Sequence, residues 1–449
     1  MLPSKKFLKI FCFFLFFVFS LVKSLHHLTS PPRPGHHLMS SQALRPADFL
    51  SVKLLREHQR LINDLRRRRI SGPFAVAVAT VEHIKRVVGT TKWRRVSEII
   101  TFVKVIGREL VKAQPVELSS GNCVRRVLHC IREEYREKVN AVETNSSSMP
   151  YEDDADDDGS VLASARANAA ALRQASPSPA STGGNSSLRQ TTSLDQRIFD
   201  SAEVEFGSVE IPGMKTSLCG QGGAIDEIME ELKDRIQPIT QQASNHIHNN
   251  EVIMTCGYSA TLYEFFKKPG ESLTFQVFVA ESAPSFAGHR MAKELAQANI
   301  EATVVTDSAI FALMARVNKV ILPCHAVMAN GGIVARAGTA AICTAAKYHR
   351  VPVVCVGGLY KLSPLYPHDQ DALNDLLSPS DIMSFKDISS TADVEVINPA
   401  FDYIEPDLID LFITNVPVVP TQSGAGGGFG TSSIYRLIAE YYSMEDTIL

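Results

Sequence analysis

Hydrophobic positions change their spacing once along this chain. Up to about residue 247 they recur every three to four residues, and from Asn250 onward they gather in short runs rich in β-branched side chains. In RPADFLSVKLLREHQRLINDLRRRRI, the residues Phe49, Leu50, Leu54, Leu61, Ile62 and Leu65 mark one face, which predicts an amphipathic helix with Asp48 near its N-cap. Val96, Ile99, Ile100, Val103, Ile106 and Leu110 predict a second over 93–112, and Val124, Val127, Leu128, Ile131 and Tyr135 a third over 122–139. A long fourth is expected over 224–247. The run Arg66 to Arg69 reads as the solvated last turn of the first helix, where cations suit the helix dipole; a phosphate or nuclear-import patch is the sharper alternative.

EVIMTCGYS, LTFQVFVAES, EATVVTD, KVILPCH and VPVVCVGG are runs of strand length, each followed by a helical period or a turn. Strands separated by crossover helices pair in parallel and are buried on both faces. The expected fold class is therefore α/β, an N-terminal helical domain followed by a Rossmann-like parallel-sheet domain. Ligands of such sheets bind outside the carboxyl ends of the strands, which places Cys256 to Ser259, Glu281 to Pro284, Thr306-Asp307, Cys324-His325 and Gly357-Gly358 on one rim.

Two segments break the pattern. Lys5, Lys6 and Lys9 precede IFCFFLFFVFSLV, a run with the signature of a secretory leader and short for a membrane span. From 143 to 194 an acidic block (EDDADDD), an Ala-rich stretch and SPSPASTGGNSS lack the apolar content to offset the entropy of ordering, which predicts a disordered insertion. The Asn-x-Ser triplets at Asn145 and Asn185 fall in it and read as chance in Ser-rich sequence. The expected organisation is a leader at 1–38, a helical domain at 46–142, the insertion at 143–194, a helical connector at 195–248 and the α/β domain at 249–449, interrupted by a Gly-rich insertion at 417–431. With 45 Lys plus Arg against 48 Asp plus Glu, binding nucleic acid by overall basicity is excluded, although removing the six acids of EDDADDD leaves a mildly basic remainder. Eight cysteines with no CxxC pair argue against a disulfide framework or a zinc ribbon.

Each rim residue has a chemical reading and a structural one. Cys256 ends a strand before Gly257-Tyr258-Ser259, a turn whose amides suit a phosphate; as a strand-end thiol without a basic neighbour in sequence it reads as an inert small hydrophobe. Cys324-His325 supplies half a zinc site. Asp307 is a candidate carboxylate or a cap for the helix after it. Asn330-Gly331-Gly332 reads as a turn, and GAGGGFG (424–430), which follows VPVVPTQS rather than a strand, as a flexible insertion.

NEVIMTCGYSATLYEFF, the block from FVAESAPSF to NKVILP, ANGGIVARAGTAAICTAAKYHRVPVVCVGGLYKLSP, and FDYIEPDLIDLFITNV with SSIYRLIAEYY together resemble the regulatory alpha, beta and delta subunit family of eukaryotic translation initiation factor 2B. The resemblance covers most of 250–449 and, more weakly, 47–142. FDYIEPDLIDLFITN and TDSAIFALMARVNKV favour its beta branch. This family is related to sugar-phosphate isomerases such as methylthioribose-1-phosphate isomerase. By resemblance Cys256 matches the isomerase cysteine, and Asn330, Gly331, Gly338 and Thr339 match pieces of a vestigial phosphate pocket. Where the isomerases carry the Asp of a GAD motif, this chain reads Leu322-Pro323-Cys324, so the acid/base partner is missing.

The resemblance implies a non-catalytic regulatory subunit that joins alpha, gamma, delta and epsilon subunits in a two-fold decamer. That complex would exchange guanine nucleotide on initiation factor 2 and read the phosphorylation of its alpha subunit. Asn250, Glu251, Gly257, Tyr258 and Ser259 are the expected factor contacts, and the sheet with the closing helix at 434–442 the expected source of interface. No cofactor, metal, membrane or direct nucleic-acid contact is implied, and aldose-ketose isomerisation of a sugar phosphate is the alternative. A cytosolic translation factor has no use for a secretory leader, so Met39 is the expected working start.

Overall fold

The computed structural model describes residues 44–147, 211–369, 371–390, 394–416, 430–447 and 449. The leader, Met39, the acidic block, Asn185 and residues 417–429 of the Gly-rich segment lie outside the described residues.

The first amphipathic segment is two helices, Pro46–Phe49 and Val52–Arg66. Asp48 does not cap the long one. Its carboxylate accepts from the Arg45 amide, and Ser51 caps Val52–Arg66 by accepting from the Leu54 amide at 3.4 Å. Helices follow at Val96–Ala113 and Leu118–Ser147, the latter running through Asn145 into the segment expected to be disordered. The expected 224–247 helix is also broken in two, Ala224–Asp234 and Ile236–His246. Pro238, with no N–H to donate, falls within the first turn of the second, where it is tolerated.

The helix Pro73–Thr90 was not expected at all, because its mixed burial leaves no clean polar stripe. Val76, Ala77, Thr80, Val81, Ile84, Val87 and Val88 are all buried. It packs with Val96–Ala113 and Leu118–Ser147 around Val103, Val124, Val127 and Ile131, and Met214, Leu218, Ile225 and Met229 of the connector complete the same core.

His58 and His83 lie buried between these helices, with Nδ1 of the first 3.0 Å from Nε2 of the second. His58 Nε2 is 3.0 Å from Glu109 Oε2. Burial, then the charges of His58 and Arg86, lowers His83 from 6.5 to about 3. The unfolded chain therefore takes up this proton first as pH falls, so the stability tied to neutral His83 is whole above about 6.5 and is lost toward about 3. Urea denaturation between those values should lose about 1.4 kcal/mol per pH unit from this one group, and His83→Gln should flatten that slope. An equal slope in wild type and variant would assign the acid sensitivity elsewhere.

Among the described residues the α/β part holds six parallel strands: β1 Val252–Cys256, β2 Gln276–Ala280, β3 Glu301–Val305, β4 Lys319–Pro323, β7 Val353–Val356 and β9 Leu411–Ile413. Their order is β3-β2-β1-β4-β7-β9, which reverses direction between β1 and β4. One face is covered by Leu262, Phe265, Phe266, Met291 and Leu295, the other by Ile310, Met314, Ile342 and Ala346. The first five of these strands match the apolar runs; β9 is short, and its signal was hidden among acids.

A second sheet was not foreseen. β5 Ala326–Val327, β6 Ile333–Arg336 and β8 Phe401–Ile404 pair antiparallel in that order. The closing helix, Thr431–Tyr441, packs one face into the protein's own core through Ile434 and Leu437, with Tyr442 just beyond it, and leaves Tyr435 exposed on another. Among the described residues no helix is long and apolar enough to cross a membrane, and no cluster of three His, Cys, Asp or Glu side chains is placed to hold a metal.

Candidate functional site

The reversal between β1 and β4 opens a crevice at their carboxyl ends, as expected of doubly wound sheets. Helical segments close it from the other side into a cleft of about 730 Å³. Tyr258 to Thr261 follow β1, and Pro323 ends β4 with Cys324 and His325 after it, facing Phe74, Glu117 and Arg235 from the helical layer.

Cations dominate its wall. Arg68, Arg235, Arg290, Arg336 and Lys361 line it against Glu117 and Asp375. Arg68 pairs with Asp375, and the Arg235 guanidinium lies 3.3 Å from the Phe74 ring centre. Arg290 stacks 3.8 Å from the Tyr258 ring centre while bonding Glu294 at 2.8 Å, and Arg336 donates to Ser285 Oγ at 3.2 Å. Lys361, buried on the turn after β7, donates from Nζ to the Cys324 carbonyl at 2.6 Å. Burial opposes its charge, but Tyr360, the thiols of Cys324 and Cys355, and Glu117 outweigh that and bind its proton more tightly than in an ordinary lysine.

Burial raises the proton affinity of Glu117, with the Ser119 hydroxyl, 2.7 Å away, acting the other way. His325 Nε2 is 3.6 Å from Glu117, and burial and then the Lys361 charge lower His325 to about 4. Packing accounts for both side chains: the imidazole lies 4.3 Å from the Phe401 ring, and the Cys324 thiol lines a small cavity together with that of Cys355.

Cys256 lies behind the cleft rather than on its wall. Its sulfur is 3.3 Å from Ser282 Oγ and 3.8 Å from Thr339 Oγ1, and burial pushes its thiol above the ordinary range. Cys256 and Thr339, named separately from the sequence, thus come together, with Gly338 at the start of the Thr339–His349 helix. Asp307 does not cap the helix after it. Both carboxylate oxygens are taken by the amides of Ser282, at 3.0 Å, and Ala283, at 2.7 Å, holding a loop in which Ser282 and Phe286 have positive φ.

Two expectations are corrected. Asn330 and Gly331 do not line the cleft. They form the turn between β5 and β6, where Asn330 Oδ1 accepts from the Gly332 amide at 3.0 Å and Nδ2 donates to Tyr403 OH of β8 at 2.7 Å, so the side chain is spent within this sheet. Asn250 and Glu251 do not share the rim with Gly257, Tyr258 and Ser259: they precede β1 and its five residues separate the two groups by roughly 17 Å. There Asn250 has positive φ and Glu251 accepts from the His248 amide at 3.0 Å. Lys361 had a usable signal, a lone charge in an apolar run at a strand's carboxyl end. Glu117 had none, since an acid just before a helix reads as an ordinary first-turn residue.

The described architecture is that of a Rossmann-like α/β protein whose helical layer covers the switch point of the sheet. Residues 69–421 match the model of the Initiation factor 2 subunit family. The chain is 38% identical over 400 residues to translation initiation factor eIF2B subunit beta of Schizosaccharomyces pombe, covering 87% of this chain and 96% of the relative. It is also 38% identical over 388 residues to the protein of that name from Dictyostelium discoideum, covering 86% and 94%. Among solved structures, eIF2B beta from Chaetomium thermophilum superposes with a TM-score of 0.57 at 22% identity, covering 88% of this chain and 93% of that one. The tetrameric eIF2B-beta2-delta2 complex from C. thermophilum matches at 0.56 and 22%, with coverages of 87% and 95%. The chain belongs to the Initiation factor 2 subunit family.

Proposed function

We propose that this chain is the beta-type regulatory subunit of a translation initiation factor 2B complex, acting in the cytosol without catalysing a reaction itself. The observation that carries the reading is identity to curated beta subunits over nearly their whole length. The beta2-delta2 tetramer of the relative supports delta as a direct neighbour. Alpha, gamma and epsilon complete the proposed two-fold decamer, which exchanges guanine nucleotide on initiation factor 2 and reads phosphorylation of that factor's alpha subunit. Phosphate sensing then amounts to an equilibrium between assembly geometries, biased by differential affinity for the two forms of the factor.

The chemistry behind the rim supports a subunit without turnover. Cys256 meets two hydroxyls and holds its proton tightly, and the nearby carboxylate, Asp307, is occupied by two backbone amides. The Asp307 carboxylate is thereby committed to holding the loop at Ser282 and Ala283.

Tagged full-length chain should recover delta, alpha, gamma and epsilon subunits together, and purified chain should leave methylthioribose-1-phosphate unchanged. Recovery without any of these subunits would sink the assembly reading; turnover lost on Cys256→Ser would establish the isomerase instead.

A further inference from the structure

Two thiols, one at the floor of the cleft and one behind it, differ from the other described ones. β4 and β7 are neighbours, with Leu322 opposite Cys355 and Pro323 opposite Val356. Side chains alternate along a strand, so Cys324, two residues beyond Leu322, falls on the face that carries Cys355. Both sit in one core cluster and line one small cavity beneath the rim, yet of the two only Cys324 also lines the large cleft. A side chain at position 357 would start 2.6 Å from the Cys324 sulfur, so Gly357 is what leaves room for it. The Lys361 ammonium is fixed beside it by its bond to the Cys324 carbonyl.

We propose that Cys324 and Cys355 are a redox pair, in which a small peroxide entering the cleft oxidises Cys324 and Cys355 then closes a disulfide across the ends of β4 and β7. In the first step the Cys324 thiolate attacks one oxygen of hydrogen peroxide. An S–O bond forms, the O–O bond breaks, and the departing hydroxide takes up the proton the thiol released, leaving as water. The sulfur loses two electrons and the peroxide gains them. In the second step the Cys355 sulfur attacks Cys324, the S–S bond replaces the S–O bond, and hydroxide leaves with the Cys355 proton as a second water. Two thiols and one hydrogen peroxide give one disulfide and two waters.

The electrostatics assign the same roles. The Cys355 thiol as hydrogen-bond partner, with the Lys361 charge, outweighs burial and favours the Cys324 thiolate, while Cys355 is pushed up. The remaining described thiols go the other way: burial raises Cys123 and Cys343 to about 12 and Cys130 and Cys219 to about 11, and Cys256 also rises. Cys324 lies one residue past the end of β4, where backbone can yield to bring its sulfur within disulfide reach of Cys355, which is held inside β7. Closing the bridge removes the thiolate from beside Lys361 and so alters the cleft floor.

The test uses reduced full-length chain treated with graded hydrogen peroxide, then alkylated and mapped by mass spectrometry. A Cys324–Cys355 peptide should be the main oxidised product, with Cys324 consumed at least about tenfold faster than the partly buried Cys130. Cys355→Ser should stop at a Cys324 sulfenic acid trapped by dimedone, and Cys324→Ser should abolish both products. Thermal melts of both variants establish that each is folded, and wild-type kinetics with Cys130 as internal standard decide the matter if one is not. Cys324 reacting no faster than Cys130, or bridging to any cysteine other than Cys355, would overturn the proposal.

Discussion

Replacing Asp446 with Ala is expected to lower the unfolding free energy by about 3 to 5 kcal/mol, because it takes the buried bidentate carboxylate from a buried guanidinium and leaves it the more exposed Glu445. Arg132, on the Leu118–Ser147 helix, is 1% exposed and Asp446 is fully buried. Arg132 donates through Nε and Nη2 to the two oxygens of Asp446, at 2.9 and 3.1 Å, and its Nη1 lies 2.6 Å from Glu445. Lys104 stands 3.3 Å from Asp446, and Arg125 donates to the Thr447 carbonyl at 3.1 Å. The last described turn of the chain is thereby bound to the helical layer some three hundred residues earlier. Measured by urea denaturation, Arg132→Met combined with Asp446→Leu should lose less than the sum of the two single changes, since the pair leaves no lone buried charge. A loss below about 1 kcal/mol for Asp446→Ala would mean the clamp is solvated and weak.

Gly288→Ala is expected to cost about 3 kcal/mol or more. The added Cβ would lie 2.0 Å from the Ala280 carbonyl oxygen and 2.9 Å from Glu281 Cα, both backbone atoms that cannot rotate away. Relief requires the helix Ala287–Gln297 to lift from the end of β2, drawing Met291 and Leu295 out of the core and disturbing the loop that sets Ser282 against Cys256. Gly89→Ala supplies the contrast. In the helix Pro73–Thr90 a Cβ at that position meets nothing within 4 Å, so the change should stabilise by about 0.5 to 1 kcal/mol. Equal denaturation midpoints for the two variants would remove the argument from close approach.

Most of the parallel sheet was legible because both faces of its inner strands are buried, which writes a mainly apolar run into VIMTC, QVFVA, KVILP and VVCV. The Pro73–Thr90 helix was not, because a helix buried over most of its surface loses the polar stripe by which helices are recognised. β5, β6 and β8 failed for a different reason: two to four residues carry too few positions to establish a period.

The same contrast divides the site. By itself the sequence determined the order of helical and β segments, the rim residues that follow β1, β2, β3, β4 and β7, and the family blocks, since all of these are written in residues adjacent along the chain. Only the tertiary structure decided that Glu117 and Arg235 face the sheet, that Cys324 backs onto Cys355, and that Asp446 is buried against Arg132. Those are pairings of buried charge and thiol across long stretches of chain. Local periodicity reports which face of an element is apolar and carries no record of which distant element will cover it.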